Sequence, residues 1–189
     1  HLKKIGILVI NEVNQPLSCS YEDLACAITE GSLLGLYKFD RYKTAKTNNQ
    51  NTDIENLIIV DEQIENIRDL KRGVKVGGII AESVALARDM VNEPSNVMTP
   101  TQVASIAENL SDRHGIKCTV FDRRECEKLG MGAFLGIAQG SDEPPKFIIL
   151  EYKGDVRHPG NNLALIGKGI TFDSGGISLK PAAGMGAMK

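Results

Sequence analysis

This 189-residue chain has almost no surplus charge, with 22 basic residues against 24 acidic ones and a formal net charge of −2. Such a balance gives no bulk attraction to polyanions, which argues against nucleic acid and against an anionic membrane surface as partners. No apolar run approaches the ~18 residues of a membrane span, and the opening His-Leu-Lys-Lys lacks the pattern of a signal peptide. A soluble, cytoplasmic protein with no membrane partner is expected. The four cysteines, Cys19, Cys26, Cys118 and Cys126, form no CxxC pair and have no histidine at zinc-finger spacing. They read as reduced and mostly buried small hydrophobes, and nothing calls for a disulfide between Cys118 and Cys126. Histidine is scarce as well, with three in all. No internal repeat is detectable. The chain also begins without methionine and stops straight after a Gly/Ala-rich stretch with no helix cap or polar tail, so it is expected to be a piece of a longer protein.

What is present suits a buried core, since 42% of the residues are hydrophobic. Residues 4–10 (KIGILVI) form a short β-branched run, which predicts a strand buried on both faces. Leu24, Ile28, Leu33 and Leu36 recur at helical intervals over 21–39. Ser20 is the available cap, Glu22 and Asp23 favour the first turn, and Gly31 and Gly35 permit close packing. The polar segment 44–53 (TAKTNNQNTD) reads as loop and 56–60 (NLIIV) as a second strand. A helix over 73–92 is predicted from the stripe Ile80, Val84, Ala87 and Val91, and it stops before Pro94 because a residue preceding proline is pushed out of the α region.

Beyond that break, Thr99, Pro100 and Gln102 supply an N-cap, a first helical residue and a capping box, and Gly115 ends the helix. Residues 117–121 read as a strand. Asp122 and Glu125 repeat the capping-box spacing before a short helix ending at Gly130. Residues 146–152 (KFIILEY) and 163–166 (LALI) read as core strands. Alternating strands and helices give an α/β fold. The expected organisation is a partial amino-terminal α/β domain over 1–72, a connecting helix over 73–93, and the first part of a second α/β domain over 94–189.

The stretch 167–181 (GKGITFDSGGISLKP) concentrates the chemistry, and three readings compete for it. A phosphate loop of the form GxxxxGK followed by Ser or Thr fails, because Lys168 is followed by Gly169 and Gly167 has no glycine five residues before it. A serine nucleophile at Ser174 would need a histidine base and an orienting acid. His1 is terminal, His114 closes a capped helix, and His158 sits in a turn beside Pro159 and Gly160, so each has a plainer solvent-exposed reading. A metal site asks less. A core strand would deliver Lys168 and Asp173 to a glycine-punctuated turn, and ligand sites in α/β sheets form beyond strand carboxyl ends. Asp173 could bridge two divalent cations, whose charge would make a neutral Lys168 amine a possible ligand, while a charged Lys180 could polarise a carbonyl. On residue types alone the competing reading, surface lysines and an aspartate that caps a turn, is the commoner one.

GKGITFDSGGISLKP strongly resembles the signature of the leucyl aminopeptidase family, also called the cytosol aminopeptidases, which are two-metal exopeptidases. Residues 30–43 (EGSLLGLYKFDRYK) resemble a segment late in that family's amino-terminal domain. Residues 87–104 (ARDMVNEPSNVMTPTQVA) resemble its interdomain junction. Together the matches run in the family's order over most of the chain.

The resemblance implies a macro-like amino-terminal domain joined by a helix to the start of a zinc-exopeptidase-like catalytic domain. It implies Lys168 and Asp173 as metal ligands, with Asp173 bridging both ions, and Lys180 as the catalytic lysine that binds the substrate carbonyl. It leaves Ser174 without a role. Two divalent ions are implied, zinc or manganese, with magnesium or cobalt as alternatives, and so is a bicarbonate in the full-length parent. The implied substrates are peptides with a free amino terminus, and the implied parent assembly is a homo-hexamer. The family's further aspartate ligand and its Asn-Thr-Asp-Ala-Glu-Gly-Arg motif do not occur in these residues. An inactive isolated chain with weak metal binding is therefore expected. Two alternatives stand beside this: a nucleotide- or DNA-binding regulator, which the neutral charge and the lack of a glycine-rich phosphate loop in 1–72 oppose, and a non-catalytic structural subunit.

Overall fold

The structure, a computed structural model, describes residues 3–9, 19–44 and 54–185. The polar segment 44–53 lies, beyond Thr44, outside the described residues, as do His1 and Ile10. The chain divides into two compact units, His1–Asp89 and Met90–Lys189. Both mix helix and strand, so the fold is α/β.

In the first unit β1 (Lys4–Val9) pairs in parallel with β2 (Asn56–Asp61), in the register Lys4↔Asn56 to Val9↔Asp61. Parallel strands require a crossover, and α1 (Tyr21–Gly35) lies between them in the chain. Ser20 caps α1, its hydroxyl accepting from the Asp23 N–H at 3.0 Å. The helix ends at Gly35, earlier than the apolar spacing to Phe39 suggests. A 3₁₀ turn (Ile64–Asn66) leads into α2 (Ile67–Asn92), which starts a turn and a half before the predicted residue 73.

The packing of α2 corrects the sequence reading. The expected stripe does not form the buried face: Ile80 is 37% exposed and Val91 59%. Leu70, Gly73, Gly77 and Ala81 are buried instead, at helical spacing, and three of the four are small. Small residues let two helix backbones approach. A Cβ on Gly73 would lie 2.8 Å from the Ala25 Cβ and 2.9 Å from the Cys26 nitrogen, and one on Gly77 would lie 2.5 Å from the Cys26 carbonyl oxygen. On α1 the matching buried residues are Ala25 and Thr29, whereas Leu33 and Leu36 are 42% and 40% exposed. The close-packing glycines are thus those of α2; Gly31 and Gly35 have open space where a Cβ would sit. Farther along, the Arg88 guanidinium donates to the Leu34 carbonyl at 3.1 Å and lies over the Tyr37 ring, while the Tyr37 hydroxyl donates to Asp89 at 2.6 Å.

The second unit opens with α3 (Pro100–His114), capped by the Thr99 hydroxyl, which accepts from the Gln102 N–H, and closed by Gly115 in the left-handed conformation at φ 65°. β3 (Lys117–Phe121) follows. The capping box of α4 (Arg123–Lys128) is complete in both directions: Asp122 accepts from the Glu125 N–H at 2.9 Å, and Glu125 accepts from the Asp122 N–H at 2.8 Å. A further helix, α5 (Gly132–Ala138), has no side-chain cap to announce it. β4 (Phe147–Glu151) then pairs antiparallel with β3. Phe121 stacks on its cross-strand partner Phe147 at 6.3 Å, and Phe134 of α5 meets Phe147 edge-on at 5.8 Å.

Two further expectations fail. Residues 163–166 form no strand, and Leu163, Leu165 and Ile166 are 86%, 89% and 97% exposed. An extended apolar run becomes a strand only when a neighbour completes its hydrogen-bond ladder, and among the described residues β3 and β4 pair only with each other. The cysteines are all free, but Cys126 alone is fully buried; Cys19 is exposed, and Cys26 and Cys118 are half-buried. Desolvation, reinforced by neighbouring carboxylates, pushes the Cys118 and Cys126 thiols above their ordinary values.

Candidate active site

Residues 167–181 lie beyond β4 in a segment without helix or strand. Local chemistry shapes the bend. Asp173 turns its own backbone, its Oδ1 accepting from the Gly175 N–H at 2.9 Å, which is the behaviour that places aspartate at turns. Gly175 and Gly176 follow with φ of 91° and 65°, the left-handed region that glycine enters without penalty. Gly175 is required for space as well: a Cβ there would collide with the Ser178 carbonyl oxygen and come within 3.0 Å of Lys180 Cγ. The loop closes where the Lys180 N–H donates to the Ser174 carbonyl at 2.8 Å.

That closure brings two of the three sequence-predicted residues together. The Lys180 ammonium donates to Asp173 Oδ2 at 2.9 Å, with side chains 28% and 50% exposed. The Lys180 hydrogen bond, joined by the Gly175 N–H and the Lys180 charge, holds the Asp173 carboxyl below the usual carboxylate range; the Lys168 charge adds a smaller push in the same direction. Lys168 itself stands apart, exposed and without a hydrogen bond or ion pair among the described residues. The turn-capping alternative and the charged-cluster reading are therefore both visible in one carboxylate. An ion pair seven residues apart in a loop has no regular period, so no sequence pattern pointed to it.

Neither described histidine takes part. His158 pairs with Asp155 at 2.7 Å in its own turn, and His114 is the exposed last residue of α3. Ser174 contributes its carbonyl to the loop and has no histidine bonded to its hydroxyl among the described residues.

A pair of divalent ions needs roughly four or more donors each. The described residues contain no group of three His, Cys, Asp or Glu side chains able to hold a metal ion. Asp173 is the right kind of donor, a part-exposed carboxylate, but it is one carboxylate and the Lys180 ammonium already occupies one of its oxygens. The donor set here does not by itself make a metal centre.

Comparison with known proteins supplies the wider setting. Residues 85–189 match the catalytic domain of the cytosol aminopeptidase family. Over 170 residues the chain is 44% identical to a probable cytosol aminopeptidase of Alkaliphilus metalliredigens, covering 90% of this chain and 34% of that protein. Over 186 residues it is 46% identical to the probable cytosol aminopeptidase of Alkaliphilus oremlandii, covering 98% and 37%. Among solved structures, the bottromycin maturation enzyme BotP in complex with Mn superposes with a TM-score of 0.69 at 34% identity, over 84% of this chain and 31% of BotP. The chain thus spans about a third of the length of the curated relatives it matches. With the matched residues 85–189 including the whole Asp173 loop, this chain belongs to the cytosol aminopeptidase family.

Proposed function

We propose that the chain is the part of a metal-dependent aminopeptidase that carries the Lys168, Asp173 and Lys180 loop, and that the whole enzyme releases leucine and similar residues from the amino terminus of peptides. The observation that carries this reading is the family match over 85–189, which contains that loop; the manganese named with BotP supports divalent metal use. In this reading Lys168 and Asp173 would be the residues of this chain that hold the divalent metal, zinc or manganese, and Lys180 would hold the substrate carbonyl. When bound, the two ions would supply an activated water near neutral pH. The chain's own residues have narrower tasks: Gly175 fixes the direction of the Asp173 carboxylate, and Ser174 anchors the Lys180 backbone through its carbonyl. A homo-hexamer, a bicarbonate acting as base and a cytoplasmic location belong to the same proposal. No helix among the described residues is long and apolar enough to cross a membrane.

The 189 residues alone are inactive in this reading, because a single carboxylate cannot fill both ion sites. The test is a chimera in which this chain replaces the matching third of the Alkaliphilus oremlandii relative. With Mn²⁺ the chimera hydrolyses leucine p-nitroanilide, and Asp173→Asn abolishes turnover, while the 189-residue chain shows none. Turnover that survives Asp173→Asn in the chimera, or that the short chain performs alone, refutes the ligand assignment.

A further inference from the structure

Residues 161–167 (NNLALIG) contain four consecutive apolar side chains and no charge. They form no helix or strand, all of them are exposed, and residues 163–172 make no backbone hydrogen bond among the described residues. Isolated exposed leucines are ordinary, but this run continues past Gly169 into Ile170 and Phe172, which are exposed as well. Extended segments that stay in water as free edges usually carry charge or proline, which prevents them from pairing. Residues 161–167 carry neither. Because the apolar residues are consecutive rather than alternating, a strand made of them has two apolar faces, as in sheets covered on both sides. The run therefore needs a body that supplies a strand neighbour and cover on both faces.

We propose that residues 163–172 are the docking surface for the remaining part of the parent aminopeptidase, and that 163–166 become a strand only when that part is present. Its size suits the task. This chain covers 34% and 37% of the two Alkaliphilus relatives, which leaves about two thirds of each outside the matched residues. A second copy of the chain suits it less. Two copies pairing edge to edge through this run would complete a hydrogen-bond ladder, yet each would bring only the same four apolar residues and would cover neither face. Docking also bears on the loop that follows. Asp173 and Lys180 are joined by bonds made inside residues 173–180. Lys168, two residues past the run, has no hydrogen bond or ion pair among the described residues, so a strand at 163–166 fixes the backbone from which it projects. Docking thus orders the one site residue that the loop leaves free, a step that rests on the proposed role of Lys168.

The test compares hydrogen exchange in the 189-residue chain with that in the chimera completed from the Alkaliphilus oremlandii relative, both without metal or substrate. The amides of 163–168 exchange at the rate of an unstructured peptide in the chain and about a hundredfold or more slowly in the chimera, the behaviour of a core strand that opens rarely. Leu165→Asp places a charge where the chain has a solvent-exposed side chain, so it leaves the urea midpoint of the chain unmoved, and it lowers that of the chimera by about 1 M. Amides that stay unprotected in the chimera overturn the proposal, and so does a chimera indifferent to Leu165→Asp. Protection already present in the 189-residue chain overturns it too: if that protection rises with protein concentration alongside a dimer in sedimentation, the occupant is a second copy, and if it does not, the chain closes on itself. None of these readings uses turnover, so the docking surface and the assignment of Lys168, Asp173 and Lys180 fail separately.

Discussion

Gly77 and Gly78 are consecutive residues of α2, yet alanine at the two positions is expected to move stability in opposite directions. In an exposed helix interior, replacing glycine by alanine gains up to about 1 kcal/mol through reduced backbone freedom in the unfolded chain. At Gly78 a Cβ meets nothing within 4 Å, so this gain is retained. At Gly77 the Cβ would sit 2.5 Å from the Cys26 carbonyl oxygen and 3.0 Å from the Thr29 Cβ. Comfortable carbon contacts begin near 3.5 Å, so α1 must move away by roughly 1 Å, and overpacking of this kind costs about 1–3 kcal/mol. The colliding atom is backbone, which cannot rotate aside. Gly77→Ala is therefore expected to destabilise by about 1–2 kcal/mol net of the propensity gain, and Gly78→Ala to stabilise by about 0.5–1 kcal/mol. Urea unfolding of both variants, followed by helical ellipticity and by hydrogen exchange of the α2 amides, measures the difference. Shifts of the same sign at the two positions would refute the close approach of α1 and α2.

Three other outcomes follow from the same structure. The Thr29 hydroxyl is buried between α1 and α2 without a hydrogen-bond partner among the described residues, so Thr29→Val is expected to stabilise by about 1 kcal/mol in the same urea assay, and a loss of stability would mean that the hydroxyl has a partner. Asp122→Ala breaks the capping box of the six-residue α4, which carries the fully buried Cys126. A loss of about 1 kcal/mol should raise the labelling rate of Cys126 by a thiol reagent about fivefold, and an unchanged rate would remove α4 opening as the route to that thiol. In the turn beyond β4, the His158 hydrogen bond holds the Asp155 carboxyl below its ordinary value against an opposing desolvation, with smaller help from the Arg157 and His158 backbone amides. A depressed carboxylate stabilises the turn above the unfolded value and lets it go as pH falls through the folded one. His158→Ala should move the Asp155 titration midpoint upward in a carbon-detected NMR titration, and an unmoved midpoint would show that the pair is not formed in solution.

Features that depend on a few consecutive residues were legible without coordinates. Ser20, Thr99 and Asp122 cap the helices that follow them, and Gly115 takes the left-handed turn its position requires, because capping is settled by hydrogen bonds three residues apart. The β-branched runs 4–10 and 56–60 likewise announced β1 and β2, though not their parallel pairing, and β1 is not buried on both faces as expected, with Ile5 37% and Leu8 50% exposed. Family membership was also readable, since the stretch 167–181 is long and distinctive enough to identify without knowing how it bends.

Features that depend on a partner distant in the chain were not legible. The apolar stripe of α2 pointed at Ile80 and Val91, but the buried face is Gly73, Gly77 and Ala81, because contact between two backbones rewards the absence of a side chain and hydrophobicity does not register it. Residues 163–166 have the composition of a strand and no neighbour among the described residues to complete one. At the site, residue types named Lys168, Asp173 and Lys180 without ranking the two lysines. Sequence thus determined which charges are present near Asp173. The path of the backbone through Gly175, closed by the Ser174 carbonyl, decided that Lys180 is the one that reaches the carboxylate, because only tertiary geometry can bring groups seven residues apart within 2.9 Å outside a regular helix or strand.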